Sequence, residues 1–317
     1  MFSTRLFLGS YMKIFISVAS YCDELLFFTI KDCLAKAAIP ENLVFGVVDQ
    51  NEASQKDAIE KLGLGARVRY VFINKLDTFG VSWARNVAFS LWDDEDYLLQ
   101  IDSHTLFEEG WDTNLLKQYQ ELKKKSVKPI ISTYPYAFSF DENNNPTFKE
   151  PSRKYALVLR PHPDTSLNED NAVLRFRAEH QLSDEPVLGY HLAGGFIFTS
   201  ANFMQEVPYD PYLYFHGEEQ SLAVRAYTRG WDIYNPNYIP LYHLYKKAGE
   251  EHTTHHWHKS TSTKRALDGA YLRARAKKRV LRLFYGDGLK GTAYGLGEVR
   301  SLADFCALSG IDYINKK

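Results

Sequence analysis

The sequence predicts an α/β fold built on an open sheet. Three observations carry this expectation. Short apolar runs recur at Lys13–Ala19, Leu43–Val48, Val68–Ile73 and Tyr97–Asp102, with the length and composition of buried strands. Segments of roughly helical period lie between them, at Leu25–Ala37 and Gly80–Leu91. The runs end in polar groups, Ser20-Tyr21, Asp49-Gln50-Asn51 and Asp102-Ser103-His104, and open α/β sheets gather ligands at the carboxyl ends of their strands.

The chain of 317 residues is long enough for one large domain with a substantial core. With 38 basic and 39 acidic residues its net charge is -1, so no global field selects nucleic acid or a membrane surface. Cys22, Cys33 and Cys306 form neither a disulfide framework nor a zinc knuckle, which fits reduced thiols in a cytoplasmic setting. No apolar run reaches the length of a membrane span. Residues 1–11 read as a frayed extension, with Met12 as an alternative start.

In chain order, Asp23 is placed to cap a helix that Pro40 ends. Ser82 opens the helix that carries Arg85 in its first turns. There a guanidinium and backbone N–H groups could face a phosphate, or Arg85 could be an ordinary surface arginine. Asp112–Lys125 reads as a helix with a basic last turn. Pro129–Thr133 and Tyr155–Arg160 read as strands, and Asp141–Pro151 and Pro161–Asp170 as surface loops. Leu192–Thr199 is a strand opened by Gly194-Gly195, where backbone can approach a ligand closely or turn tightly. Glu218 and Glu219 open an amphipathic helix that stops at Gly230. Ile233–Leu241 is strand-like. Lys259–Arg282 reads as a basic helix with a solvated face, able to meet a phosphate-bearing ligand. A short helix runs from Ser301 to Gly310.

The stretch around which the chain is organised ends in Asp102-Ser103-His104. Residues i and i+2 of an extended segment point the same way, so Asp102 and His104 could hold one divalent ion. An oxygen and an imidazole ligand suit Mn²⁺, which could in turn hold a diphosphate. The alternative is an Asp102 that caps the next turn and a surface His104. The histidines at 252, 255, 256 and 258 do not have the H-E-x-x-H spacing of a zinc protease. They read as a loop near the site.

Several motifs occur together: R-N-V-A at 85–88, L-Q-I-D-S-H-x-x-F with G-W-D at 99–112, H-L-A-G-G-F-I-F at 191–198, H-G-E-E at 216–219 with R-G-W-D at 229–232, and Y-H-L-Y at 242–245. With the closing Y-G-L-G-E-V-R-S-L they resemble the GlcNAc-transferase family typified by the cytoplasmic enzyme that adds GlcNAc to hydroxyproline. That family is related to the polypeptide GalNAc-transferases, whose metal motif is also D-x-H.

The resemblance implies a GT-A fold, with a Rossmann-like open mixed sheet flanked by helices. It further implies a UDP-sugar donor, GlcNAc first, a Mn²⁺ or Mg²⁺ cofactor, and retaining transfer to a hydroxyl. Asp102, His104 and His243 match the metal ligands. Gly194 and Gly195 match the backbone bordering the donor sugar, and Glu218 and Glu219 the acidic pair near sugar and acceptor. Ser20, Tyr21, Asp23 and Asp49 match the nucleoside side, and Arg85 a residue near the diphosphate. Trp83 and Ser103 join the donor set. The implied layout is one domain over 12–317: a donor half to about 125, a sugar and acceptor half to about 258, and a basic helical segment from 259.

The acceptor stays open among protein hydroxyls, glycans and hydroxylated nucleic-acid bases. A nucleotidylyltransferase is disfavoured because S-V-A-S-Y-C-D-E after the first strand lacks glycine and lysine. A dinucleotide-dependent dehydrogenase is disfavoured because no G-x-G-x-x-G follows a strand. A non-catalytic sugar-nucleotide-binding protein is the remaining alternative.

Overall fold

The computed structural model describes residues 12–245, 255–258 and 263–316. In chain order the elements are β1 (Ile14–Tyr21), α1 (Leu26–Ala35), β2 (Leu43–Asn51), α2 (Lys56–Glu60), β3 (Val68–Asn74), α3 (Val81–Phe89), β4 (Tyr97–Asp102), β5 (Thr105–Phe107) and α4 (Trp111–Lys123). Then follow β6 (Pro129–Ser132), β7 (Tyr136–Phe140), β8 (Pro146–Phe148), β9 (Tyr155–Pro161), β10 (Phe176–Leu182), β11 (Val187–Gly189), β12 (Phe196–Ser200) and α5 (Asn202–Glu206). The chain closes with α6 (Glu218–Thr228), β13 (Asp232–Asn235), β14 (Leu241–His243), α7 (Gly269–Tyr285) and α8 (Leu302–Ser309).

An eight-stranded mixed sheet forms the centre, in the order β11-β13-β6-β12-β4-β1-β2-β3. Strands β3, β2, β1 and β4 are parallel, so Tyr21, Gln50 and Asp102 emerge along one edge. An open sheet of this kind carries its ligand outside the carboxyl ends of its parallel strands. Strand β12 runs antiparallel between β4 and β6 and brings the Gly194-Gly195 turn back to that edge. Strands β1, β2 and β4 are buried on both faces, as in Val47 and Val48 or Leu98 and Leu99, while the edge strand β3 is half-buried. Their near-continuous apolar runs reflect that.

A small second sheet, β5-β14-β7-β8, lies beside the end of β4. Its register sets His243 opposite Thr105 on β5 and Ala137 on β7. That pairing carries His243, 141 residues away in sequence, to Asp102.

The structure corrects three local readings. Helix α1 begins at Leu26 with Leu25 as its N-cap; Asp23 instead accepts from the Leu25 N–H at 3.0 Å, and its other oxygen faces the site. The 141–151 stretch is not only loop, because β7 and β8 form a hairpin there around a turn in which Asp141 accepts from Asn143 and Asn145. The basic helix starts at Gly269, where the Asp268 side chain accepts from the Tyr271 N–H, and it continues to Tyr285. Residues 259–262 of that expectation, His252 of the histidine cluster and the extension 1–11 lie outside the described residues.

Candidate active site

Asp102 is the hub of the site. Its Oδ1 accepts from Arg85 Nη2 at 2.8 Å, and its Oδ2 lies 3.1 Å from His243 Nε2. Burial opposes its charge, but the His243 hydrogen bond and the Arg85 guanidinium overcome that and hold its carboxyl well below the usual range. Asp102, His104 and His243 can bring one ligand atom each within 4.8 Å of one another. Their donor set, one carboxylate oxygen and two imidazoles, fits a divalent first-row metal.

Asp23 prepares His104 for that role. Its Oδ2 lies 2.6 Å from His104 Nδ1 and also accepts from Ser103 Oγ at 2.7 Å. With the Nδ1 proton held by a buried carboxylate, Nε2 presents its lone pair outward, the arrangement common behind metal-bound histidines. Replacing Asp23 with Asn is therefore expected to weaken Mn²⁺ affinity by about 10–100-fold. Calorimetric metal titration checks this, and unchanged affinity would refute the role.

Arg85 is 5% exposed and joins two parts of the site. Nη1 donates to Glu218 Oε1 at 2.7 Å while Nη2 holds Asp102. Both contacts raise its guanidinium above the ordinary value despite burial. Helix α3 holds Arg85 in place: Ser82 Oγ and Asn86 Nδ2 donate to the carbonyls of Asp210 and Tyr209, both at 2.7 Å.

The glycine pair allows the approach. A Cβ on Gly194 would collide with the Arg85 guanidinium, and one on Gly195 would sit 2.8 Å from Asp102 Oδ2. Gln100 Nε2 pins the Gly194 carbonyl at 2.6 Å, and the Gly194 N–H donates to Glu219 Oε1 at 2.6 Å.

The acidic pair diverges. Glu218 turns to Arg85, and burial pushes its carboxyl up. Glu219 accepts from Gly194 and, through Oε2, from Tyr134 Oη at 3.0 Å. Burial works against its charge, yet His191 and the Gly194 N–H keep it below the usual value. Gly217, at φ +85°, makes the turn into α6; a Cβ there would meet Val173 and Val280 at 3.1 Å.

Two adjoining clefts share Arg85, Asp102 and Phe215. The first is lined by Tyr21, Asp23, Gln50, Ser103, His104 and His243, among others, with His255–Trp257 across it. The second holds Gly195, Glu218, Glu219, Tyr134, His191 and His216.

Of the expected donor residues, Ser20, Asp49, Trp83 and Gly194 stand behind the lining of these clefts. Ser20 is fully buried. Asp49 accepts from Tyr70 Oη at 2.7 Å, and Trp83 packs edge-on against Phe79. Sequence reasoning missed Tyr134, His191, Tyr245 and Gln50. The H-L-A-G-G run held His191 in plain view, Gln50 lay in the strand-end group Asp49-Gln50-Asn51 and Tyr245 closed the Y-H-L-Y motif, while Tyr134 had no local pattern to mark it.

A family model for GlcNAc glycosyltransferases matches residues 58–315. The chain belongs to that family. The chain is similar in structure to GalNAc-T7, solved with UDP, GalNAc and Mn²⁺, with a TM-score of 0.58 and 13% identity over 96% of this chain. The match covers 55% of GalNAc-T7, so this chain spans about half the length of that relative. The likeness identifies the fold as GT-A, as expected. TarS of S. aureus is also similar: with UDP at a TM-score of 0.45, 15% identity, 88% of this chain and 74% of that one; with UDP-GlcNAc at 0.42, 15%, 94% and 82%. A search of curated proteins finds no match. Among the described residues, no helix is long and apolar enough to cross a membrane.

The segment across the first cleft is tied down through His256. Its Nε2 is 2.9 Å from Thr78 Oγ1 and its Nδ1 2.8 Å from Tyr214 Oη. Arg265 donates to the His256 carbonyl and to Tyr21 Oη. Burial first, then Arg265, push the imidazole from 6.5 down to about 4. Below pH 6.5 the unfolded chain takes up a proton that the folded ring refuses. Stability present above that value is therefore lost as pH falls toward 4. Between pH 7 and pH 5 this group should cost about 2 kcal/mol. His256→Gln should remove that part of the pH dependence, as read from denaturant melts at the two pH values.

Proposed function

We propose that the transferase moves GlcNAc, with retention of configuration, from UDP-GlcNAc to a hydroxyl acceptor in a metal-dependent reaction. The single observation that carries this reading is the convergence of Asp102, His104 and His243 at the end of β4. There Asp102 is also bound to Arg85, and Arg85 to Glu218.

In this reading Asp102, His104 and His243 hold Mn²⁺ or Mg²⁺. When bound, the metal supplies positive charge to the diphosphate as a Lewis acid and template. The first cleft takes the uridine and diphosphate, with Tyr21, Gln50 and Asp23 along its wall. Arg85 acts as a positioning residue, since both terminal nitrogens are committed to carboxylates. It holds Asp102 ionised and fixes the distance between Asp102 and Glu218. The sugar lies over Gly195, and the acceptor enters through the second cleft.

Retention by a covalent glycosyl-enzyme needs two carboxylates about 5 Å apart across the scissile bond. Glu218 and Glu219 instead turn to opposite partners, Arg85 and the Gly194 N–H. That divergence favours attack from the face of the departing UDP, whose phosphate oxygen takes the acceptor proton. Glu218 and Glu219 then bind sugar or acceptor hydroxyls.

The test is UDP release across a panel of UDP-sugars, with proton NMR of the first-formed free sugar. UDP-GlcNAc hydrolysis giving the α-anomer first supports the proposal. Preference for another donor would replace the sugar, and β-anomer first would refute retention. Glu218→Ala and Glu219→Ala are each expected to lower transfer by about 10²-fold or more with UDP affinity nearly unchanged. Loss of UDP binding in both would move the pair to the nucleotide side.

A further inference from the structure

The basic helix α7 has a feature that sugar transfer does not use. We propose that Arg275 and Arg279 of α7, with Arg225 of α6, Tyr212 and Tyr294, form a binding site for a phosphate group, distinct from the diphosphate cleft. The site lies along α6, two turns or roughly 10 Å beyond Glu218.

Guanidinium groups and rings alternate through it. Arg275 and Arg279 stand 5.4 and 4.8 Å from the Tyr212 ring centroid. Arg279 and Arg225 stand 5.6 and 5.9 Å from that of Tyr294. Arg229 adjoins Arg225, donating to its carbonyl and to that of Gly295. Against these four arginines the one carboxylate that bonds within the group, among the described residues, is Asp210, paired with Arg279.

Arg225 is 1% exposed, and its Nη2 donates to the Pro208 and Ala293 carbonyls at 2.7 and 3.2 Å, while its Nε has no partner. The two carbonyls accept from Nη2 alone and bring no counter-charge to the guanidinium. Burial, followed by Arg229, pushes its guanidinium down to about 9.

A second set of unmet donors is at Arg275. Its Nε and Nη2 are shielded and without acceptors. These two donors form one edge of the guanidinium fork, the edge that grips two oxygens of a single anion. Tyr212 beside it is 48% exposed, so the cluster reaches solvent at this end. An anion reaching that edge would give its two donors acceptors and offset the excess charge. A phosphate has enough oxygens to meet Arg275 and a second guanidinium together.

The phosphate could come from free phosphate or from a phosphodiester within a larger molecule, and two probes separate these. The full chain, saturated with UDP to block the first cleft, is titrated calorimetrically with inorganic phosphate and with diethyl phosphate. One saturable site is expected for at least one probe. Binding of diethyl phosphate points to a phosphodiester, and binding of inorganic phosphate alone to the free dianion or a monoester. Arg275→Gln should weaken binding at least about tenfold. Arg275→Lys, which keeps the charge and loses the fork, should recover only part of it. Lys277→Gln, an exposed neighbour outside the cluster, should change nothing. Equal melting temperatures for the variants and the parent show that the fold is kept. No saturable binding of either probe, or affinity unmoved by Arg275→Gln, would overturn the proposal.

Discussion

Asp102→Ala is expected to lower UDP-GlcNAc turnover by more than about 10³-fold. The effect is large because one carboxylate serves three partners. It supplies a ligand atom to the candidate metal triad, holds Arg85 by Oδ1, and meets His243 by Oδ2. Removing it leaves Arg85 buried with only Glu218 opposite, and leaves two imidazoles that bind a metal weakly. Asp102→Asn sharpens the test. It keeps the shape and an oxygen, yet its amide nitrogen cannot ligate, so most of the loss should remain. Steady-state UDP release on folded variants measures both. A loss of less than tenfold in Asp102→Ala would remove Asp102 from the reaction.

Arg85→Met should be almost as severe, and for a different reason. Arg85 links Asp102 and Glu218, and the Arg85 and Glu218 side chains are only 6% and 5% exposed. Breaking a buried ionic network by deleting one partner costs about 3–5 kcal/mol of stability. It also frees both carboxylates to repel each other. Turnover should fall by about 10²-fold, the cost of misplacing groups around a reacting centre. Gly194→Ala approaches the same fault from the other side, because its Cβ would displace the guanidinium. Arg85→Met should lower the melting temperature and turnover together, whereas Gly194→Ala should act mainly on turnover. Normal turnover in Gly194→Ala would show that the close approach has no functional part.

The sequence made the parallel half-sheet legible because β1, β2 and β4 are buried on both faces and so are largely apolar. Asp102 and His104 were legible for the same reason, since a polar triplet ending such a strand stands out. His243 could be reached only through the family resemblance. Its approach depends on the pairing of two three-residue strands, β5 and β14, which are too short to show periodicity. Strands β8 and β10 are largely exposed and lack the apolar alternation that marks a half-buried strand. The role of Asp23 was hidden differently. Its position after β1 fits a helix cap equally well, and only the tertiary fold brings it to His104, 81 residues on. Arg85 looked like a diphosphate contact, and the structure commits both of its terminal nitrogens to carboxylates.

The central claim is that Asp102, His104 and His243 hold a metal through which a diphosphate binds. Calorimetric titration of UDP with and without Mn²⁺, on the parent and on Asp102→Ala, tests it most directly. The predicted result is UDP binding to the parent that strengthens at least about tenfold with Mn²⁺, and no Mn²⁺ effect in the variant. UDP binding that is indifferent to Mn²⁺ in the parent, or a Mn²⁺ effect that survives in Asp102→Ala, would contradict the account.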